Sequence, residues 1–308
     1  MTASPMIASP KLRPAIVLTL LLLFLAANTV AQAVERFRYV SIDVPGAAGT
    51  VAYGINDSGQ IVGSYIGSPT NTASHGFLLQ NGSFRTIDFP EAALGTDAFG
   101  INDRGWIVGD YFVSDLNSGQ GYVLKNGRFH TIRYPGAQQT MAIGINEAGE
   151  IVGSYTNSGG DQHGFRLWNG KFASIDFPGS SGTVARTINN EGEIGGFYYD
   201  AKSVAHGFLL TQGRYIRLDV PGSVFDAVDG VSAKGAIVGG YVAPSGANYG
   251  YLLYRGVFHT LASPRAPLVT TANGVNDRGG VVGNYIDSQF VSHGFLAYFG
   301  KEDGKEDE

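Results

Sequence analysis

The chain has 308 residues, no cysteine, 15% charged residues and a formal net charge of −5. This acidic balance argues against a nucleic-acid partner, because neutralising phosphate groups requires a basic patch. Without cysteine the fold depends on apolar burial rather than on disulfides. The 45 glycines, together with the low charge, favour short strands joined by tight turns.

The first 33 residues have the layout of a secretory signal. Lys11 and Arg13 precede an apolar run at 15–27, and Ala31-Gln32-Ala33 follows as a small-residue cleavage site. The apolar run is shorter than the roughly 20 residues that a membrane-spanning helix needs. We therefore predict a signal peptide at 1–33, cleavage after Ala33, a secreted protein (periplasm, cell surface or medium) and no membrane span in the mature chain.

Residues 34–300 consist of six copies of one repeat. The segment GINDSGQIVGSY at 54–65 recurs five more times, and its first aliphatic residue recurs every 43 to 46 residues. Such a period is a strong repeat signal. The six aliphatic residues are Ile55, Ile101, Ile145, Ile188, Val231 and Val275.

Each copy contains four short β-like runs. In the first copy they are 51–56, 60–66, 75–80 and 84–89, separated by a turn that contains Gly59 and by the Asn81-Gly82 dipeptide, which favours a hairpin. Four antiparallel strands at this period describe one propeller blade. The sequence therefore predicts an all-β fold, a six-bladed β-propeller of four-stranded blades.

The two ends of the repeat region predict how the ring closes. The region opens with a fourth-type strand at 37–45 and ends with a third-type strand at 293–299. We expect the N-terminal strand to complete the last blade and so remove an unpaired sheet edge. Residues 301–308 carry five acidic residues and are expected to form an acidic disordered tail.

Two periodic sets of residues are expected to form the core. Small residues suit the innermost strand, and large aromatic residues on the third strand fill the space between blades. The small residues are Ala52, Ala98, Ala142, Ala185, Ala227 and Ala272. The aromatic residues are Phe77, Tyr122, Phe165, Phe208, Tyr251 and Phe295.

The repeat motif resembles a known family. Gly-Ile-Asn-x-x-Gly-x-Ile-Val-Gly, followed about 12 residues later by His-x-Phe-Leu, is similar to the HAF-type extracellular repeats of bacteria, although this chain has His-Gly-Phe where the family name denotes His-Ala-Phe. The resemblance covers nearly all of the predicted mature chain. It implies an exported repeat protein and no particular reaction.

Periodic polar residues are expected to be structural. One histidine recurs as His75, His163, His206 and His293, but equivalent positions on separate blades lie too far apart to share a metal. A carboxylate recurs as Asp43, Asp88, Asp176 and Asp219, and we expect it to cap the neighbouring Pro-Gly turn. We predict no catalytic motif, no metal site and no cofactor.

The candidate ligand-binding residues are polar departures from the repeat consensus on the innermost strand. The longer, variable connections share one face of a propeller, which is where binding sites usually lie. Charges near a central channel favour a functional site. The alternative is that Arg186 pairs with Asp229 or Asp226 of the next blade, since buried charges are tolerated when they are paired. The candidates are Asp97, Arg186, Asp226, Asp229 and Asn273.

These observations favour an exported, monomeric binding or scaffold module with an unknown protein or glycan ligand on the long-loop face. The alternative is a propeller-type hydrolase or lyase that acts on glycans or lactones, with Asp97, Asp226 or Asp229 as acid, base or metal ligand.

Overall fold

The structure, a computed structural model, describes residues 36–300 except 116–117 and 266–268. The predicted signal peptide and acidic tail lie outside these residues. The described chain is all-β. No helix long and apolar enough to cross a membrane occurs in the described part of the chain.

The strands follow the repeats. The first two repeats contain β2 (Gly49–Ile55), β3 (Ile61–Ser68), β4 (Asn71–Gln80), β5 (Ser83–Ile87), β6 (Gly95–Ile101), β7 (Ile107–Phe112), β8 (Gln120–Lys125) and β9 (Arg128–Ile132). The third and fourth contain β10 (Gln139–Ile145), β11 (Ile151–Thr156), β12 (Gln162–Trp168), β13 (Lys171–Ile175), β14 (Gly182–Ile188), β15 (Ile194–Tyr199), β16 (Ala205–Thr211) and β17 (Arg214–Arg217). The last two contain β18 (Phe225–Val231), β19 (Ile237–Val242), β20 (Asn248–Tyr254), β21 (Val257–Leu261), β22 (Val269–Val275), β23 (Gly280–Ile286) and β24 (Ser292–Gly300). One further strand, β1 (Arg36–Ile42), precedes the first repeat.

Each repeat forms an antiparallel sheet in sequence order, as in β10-β11-β12-β13 and β14-β15-β16-β17. Single parallel bridges, Ser74 with Gly95 and Asn248 with Val269, join repeats 1 and 2 and repeats 5 and 6 into larger sheets. The sixth repeat has three strands of its own, and β1 pairs with β24 as its fourth. The first strand of the described chain thus contributes to the last repeat.

Because the strands alternate in direction, the connections fall into two groups. The turns after the first and third strands of each repeat lie at one end of the strands, which we call the hairpin face. The longer connections lie at the other end, which we call the long-loop face.

The innermost strands share one register irregularity, which corrects one expectation. In every repeat the pairing with the second strand shifts by one residue near the residue that precedes the first aliphatic residue, which is a glycine in five repeats and Thr187 in repeat 4. In repeat 1 Ala52 pairs with Gly63, and in repeat 5 the equivalent Gly239 pairs with Val228. Val228, rather than Ala227, therefore occupies the small-residue position of repeat 5.

The core lies between successive sheets. Val62, Leu78 and Ile87 of repeat 1 pack against Ala98 and Tyr122 of repeat 2. Ile42 and Val282 on the sixth sheet cluster in the same way with residues of repeat 1. The six predicted aromatic residues of the third strand are at most 1% exposed, which confirms their role in the core.

Asparagine side chains link neighbouring repeats at the hairpin face. Asn56 donates its side-chain N–H to the Asn102 carbonyl (3.0 Å), and Asn276 of repeat 6 donates to the Asn56 carbonyl of repeat 1 (2.9 Å). Equivalent bonds start from three further asparagines, Asn102, Asn146 and Asn189. We call this series the asparagine girdle. In repeat 5 the position is Ser232, which has no amide to donate.

Candidate functional site

Six equivalent side chains line a cavity of about 300 Å³ at the long-loop end of the innermost strands, with Met141 as a further wall residue. Each follows the small-residue position of its strand, where the register shift occurs. We call this cavity the mouth. Its six equivalent residues are Tyr53, Phe99, Ile143, Arg186, Asp229 and Asn273.

One half of the mouth is apolar. Tyr53 and Phe99 meet edge to face with ring centroids 5.1 Å apart, and Ile143 and Met141 continue the same wall. Burial, assisted by the charge of Asp97, raises the pKa of Tyr53 to about 12. Its phenol therefore remains protonated at neutral pH and offers the mouth an uncharged aromatic surface.

The other half is polar and is built around an ion pair between repeats. Arg186 Nη1 donates to Asp229 Oδ1 at 2.7 Å, with the aspartate side chain 7% exposed and the arginine 41% exposed. Burial raises the pKa of Asp229, and the adjacent guanidinium opposes that shift. The Arg186 guanidinium also lies 5.3 Å from the centre of the Phe197 ring. These contacts fix a partly exposed guanidinium at the edge of the cavity.

Asn273 completes the polar half. Its side-chain nitrogen donates to the Ala52 carbonyl of repeat 1 at 2.9 Å and to Asn284 Oδ1 at 3.2 Å. The amide is thus oriented by two bonds before any ligand arrives, which is the pre-organisation that a binding site needs.

A side crevice of about 200 Å³ runs outward from the polar half. Phe197, Phe225, Tyr241 and Tyr249 are among the residues that line it, next to Arg186, Asp229 and Asn273. Repeat 5 contributes Ala227 and Gly240 here, where repeat 2 has the paired Asp97 and Asp110. These small residues leave room between repeats 4 and 6.

Asp97 does not line the mouth. It lies opposite Asp110 in the β6–β7 register. Burial raises its pKa, and hydrogen bonding from the Ser64 and Ser74 hydroxyl groups opposes that rise. Asp110 is 1% exposed, and neither of its carboxylate oxygens has a hydrogen-bond partner within the described residues. Burial and the charge of Asp97 hold the pKa of Asp110 well above its usual value.

Asp226 also lies outside the mouth lining, and it replaces a structural threonine. Its Oδ1 accepts a hydrogen bond from the Val220 backbone N–H at 2.9 Å, and Ser223 donates to its other oxygen. In the other five repeats a threonine hydroxyl accepts the corresponding backbone bond. Those threonines are Thr50, Thr96, Thr140, Thr183 and Thr270.

The recurring histidines and aspartates form pairs that the sequence reasoning missed. His75 Nδ1 lies 2.9 Å from Asp88 Oδ1, and the equivalent pairs in repeats 3, 4 and 6 measure 2.8 to 3.1 Å. The aspartates therefore bind the histidine side chains. The sequence did contain a signal, because repeats 2 and 5 lack both partners: Gln120 with Arg133, and Tyr249 with Ala262.

No group of three or more histidine, aspartate or glutamate side chains suited to a metal ion occurs among the described residues. Of the five sequence-predicted residues, the structure brings Arg186, Asp229 and Asn273 together. It places Asp97 and Asp226 elsewhere.

Comparisons with solved structures identify the fold class. The chain is similar to a triple arginine-to-alanine mutant of AofleA from Arthrobotrys oligospora (11% identity, 85% of this chain and 86% of that chain, TM-score 0.53). It is similar to the SapL1 lectin in complex with α-methyl fucoside (9%, 82% and 95%, 0.54). It is also similar to a mutant Aleuria aurantia lectin bound to Fucα1-6GlcNAc (12%, 81% and 91%, 0.50), and that lectin is described as a six-bladed β-propeller. No protein-family model and no curated protein sequence matches the chain.

Proposed function

We propose that the chain is a six-bladed β-propeller that acts as a binding module and holds a glycan at the mouth. The blade count rests on six repeat sheets and on contacts from repeat 6 to repeat 1, namely the Asn276 bond to Asn56 and the Asn273 bond to Ala52. The strand β1, paired with β24, would close the ring. Lectins among the structural neighbours support this choice of fold and ligand class.

The observation that carries the ligand class is the division of the mouth into an apolar and a polar half. A sugar ring has an apolar C–H face and a rim of hydroxyl groups. The Tyr53–Phe99 wall fits the first, and the Arg186–Asp229 pair with Asn273 fits the second. Arginine N–H groups donate to hydroxyl oxygens. The Asp229 carboxylate and the side-chain oxygen of Asn273, whose amide nitrogen already makes two bonds, accept from hydroxyl protons.

The arrangement of carboxyl groups supports binding rather than hydrolysis. Glycoside hydrolysis uses two carboxyl groups that flank one bond. Of the three aspartates considered for such a role, Asp229 lines the mouth and is paired with Arg186, whereas Asp97 and Asp226 face other partners. We also propose that the protein is exported, in keeping with the signal-like residues 1–33 and the resemblance to HAF-type repeats.

The test begins with α-methyl fucoside and an array of fucosylated, mannosylated, galactosylated and uronate-containing oligosaccharides. Affinity for the best array ligand is then measured by titration calorimetry on the unchanged protein and on Arg186→Gln. We expect binding at least tenfold weaker in the variant, because charged hydrogen bonds contribute about 1.5 to 3 kcal/mol.

Two further variants separate binding from folding. Arg186→Lys keeps a positive charge beside buried Asp229, so the variant should fold. It loses the planar fork of donors, so its affinity for the glycan should be lower than that of the unchanged protein. Arg166→Gln breaks a comparable ion pair, with Glu150, on repeat 3 and should bind normally. The proposal would be refuted if the protein bound no glycan on the array, or if folded Arg186→Gln and Arg186→Lys bound with full affinity.

A further inference from the structure

A second cavity, of about 280 Å³, opens between repeats 5 and 6 on the hairpin face, at the opposite end of the strands from the mouth. Its walls are aromatic and aliphatic. They include Leu252 and Tyr254 from β20, Val281 from β23, and Tyr298 and Phe299 from β24. We call this cavity the hairpin-face crevice.

The crevice is lined by a small residue at a repeat position that is large in four of the other copies. The position just before the second strand is Ala236 in repeat 5. In repeats 1 to 4 a longer side chain occupies it, and in repeat 2 that side chain, Trp106, reaches the next repeat. The equivalent residues are Gln60, Trp106, Glu150, Glu193 and, in repeat 6, Gly280.

Repeat 2 shows what fits in this space. The indole ring of Trp106 lies against Gly149 of repeat 3, where a Cβ atom would be 3.0 Å from the ring. Gly149 is the exception among the equivalent glycines: at Gly279 of repeat 6, as in the other four repeats, a Cβ atom would meet nothing within 4 Å. The open space beside Ala236 is therefore the space that an aromatic ring fills between repeats 2 and 3.

The charges around the crevice favour an anion. In repeat 2 Arg104 and Lys125 lie over the Trp106 ring at 5.5 and 5.4 Å. Lys234 replaces Arg104 in repeat 5, and Arg278 adds a second cation from repeat 6. Both are exposed, and neither forms an ion pair within the described part of the chain. Asp277 is the one carboxylate among the described lining residues, so those residues carry a net positive charge.

We propose that the hairpin-face crevice is a binding site for a small aromatic carboxylate. The ring occupies the position that Trp106 occupies in repeat 2, between the aromatic walls and Gly279. The carboxylate then faces Lys234 and Arg278 at the crevice opening. A cation near the ring face adds to the attraction, as it does at Trp106.

Indole-3-acetate is the probe, because its ring matches the tryptophan side chain and it carries one carboxylate. Titration calorimetry on the purified protein should show a single saturable site with a dissociation constant on the order of 1 mM, the usual affinity for about a dozen ligand atoms. Ala236→Trp should abolish this binding, because the new side chain fills the crevice as Trp106 does in repeat 2.

Lys234→Gln and Arg278→Gln should each weaken binding by about three- to tenfold. The matched control is Arg104→Gln, which changes the equivalent residue in repeat 2, where Trp106 already fills the space, and should leave binding unchanged. Thermal melts establish that each variant folds. If Ala236→Trp fails to fold, the two glutamine variants decide the question.

Absence of saturable binding at millimolar concentrations would overturn the site, as would unchanged affinity in folded Ala236→Trp. Equal affinity for the uncharged indole-3-acetamide would overturn the assignment of an anionic ligand. Because the mouth lies on the other face, Arg186→Gln should not change indole-3-acetate binding.

Discussion

Asp226→Thr is expected to stabilise the protein at neutral pH. Burial raises the pKa of Asp226 to about 6, with the charge of Asp219 adding to the rise and Ser223, Val220 and His206 opposing it. The side chain sits where five other repeats have threonine, and it accepts the same backbone bond. Repeat 4 also preserves the serine contact, since Ser180 and Thr183 hydroxyls lie 3.0 Å apart. The substitution should therefore retain both hydrogen bonds and remove a buried charge.

The magnitude follows from the pKa. An aspartate whose pKa rises from about 4 to about 6 on folding costs about 3 kcal/mol once it is ionised in both states. This cost is absent below pH 4, grows between pH 4 and 6, and is complete above pH 6, because the folded state binds the proton more tightly. Allowing for the weaker bond that a neutral acceptor makes, we expect Asp226→Thr to gain about 2 kcal/mol at pH 7.5. For a chain of this size that raises Tm by about 4 to 8 °C.

The assay is a series of thermal melts of both proteins from pH 4 to pH 8. The difference in Tm should be near zero at pH 4 and reach its full value above pH 6. Thr183→Asp, the reverse change in repeat 4, provides the control and should lose stability over the same pH range. A Tm difference that is independent of pH, or a lower Tm for Asp226→Thr at pH 7.5, would refute the reasoning.

Two other substitutions test repeat-based reasoning elsewhere. Asp110→Ser installs the residue found at Ser64 and Ser154, removes a buried carboxyl group that has no hydrogen-bond partner among the described residues, and should raise the urea midpoint at pH 7; an unchanged midpoint would show that the carboxyl group carries no cost. Ser232→Asn supplies the missing member of the asparagine girdle, with a new bond to the Asn276 carbonyl worth about 1 kcal/mol, and should raise Tm by about 2 to 4 °C; a lower Tm would mean that the amide cannot reach that carbonyl.

The strands were predictable because the repeat places the same turn and strand signals in each copy. Turns with Gly59 or Asn81-Gly82 and the alternating aliphatic residues between them mark the strand ends. A repeat also averages out local ambiguity, since six copies must adopt one structure. The pairing of β1 with β24 followed from counting strand types at the two ends of the region.

The direction of inner-strand side chains was less predictable. The register shift near Gly54 and its equivalents adds one residue to the inner strand, so simple alternation does not tell which side chains face the mouth. In repeat 5 two adjacent small residues, Ala227 and Val228, allowed a misalignment by one position. That same step decides whether Asp226 or Asp229 faces the mouth. Only the pairing of Val228 with Gly239, which fixes the register of this strand, shows that Asp229 is the one that faces the mouth.

Side-chain partners were also hidden when each position of the repeat was considered alone. The His75–Asp88 type of pair spans 13 residues, and it becomes visible in the sequence when the two positions are compared together. The hairpin-face crevice is the same kind of feature. Ala236 is unremarkable alone and informative beside Trp106, its equivalent in repeat 2.

Repeat 5 departs most from its neighbours, and both proposed sites border it. Stability in a repeat protein depends on interfaces between neighbours, so a residue that serves the interface well in one copy generally serves it in all. Asp226 and Ser232 depart from that solution and give up stability at their own interfaces. Asp229 and Ala236, in contrast, open or polarise a cavity. Departures that form cavities are where function is expected, so repeat 5 should contact the ligand of both proposed sites.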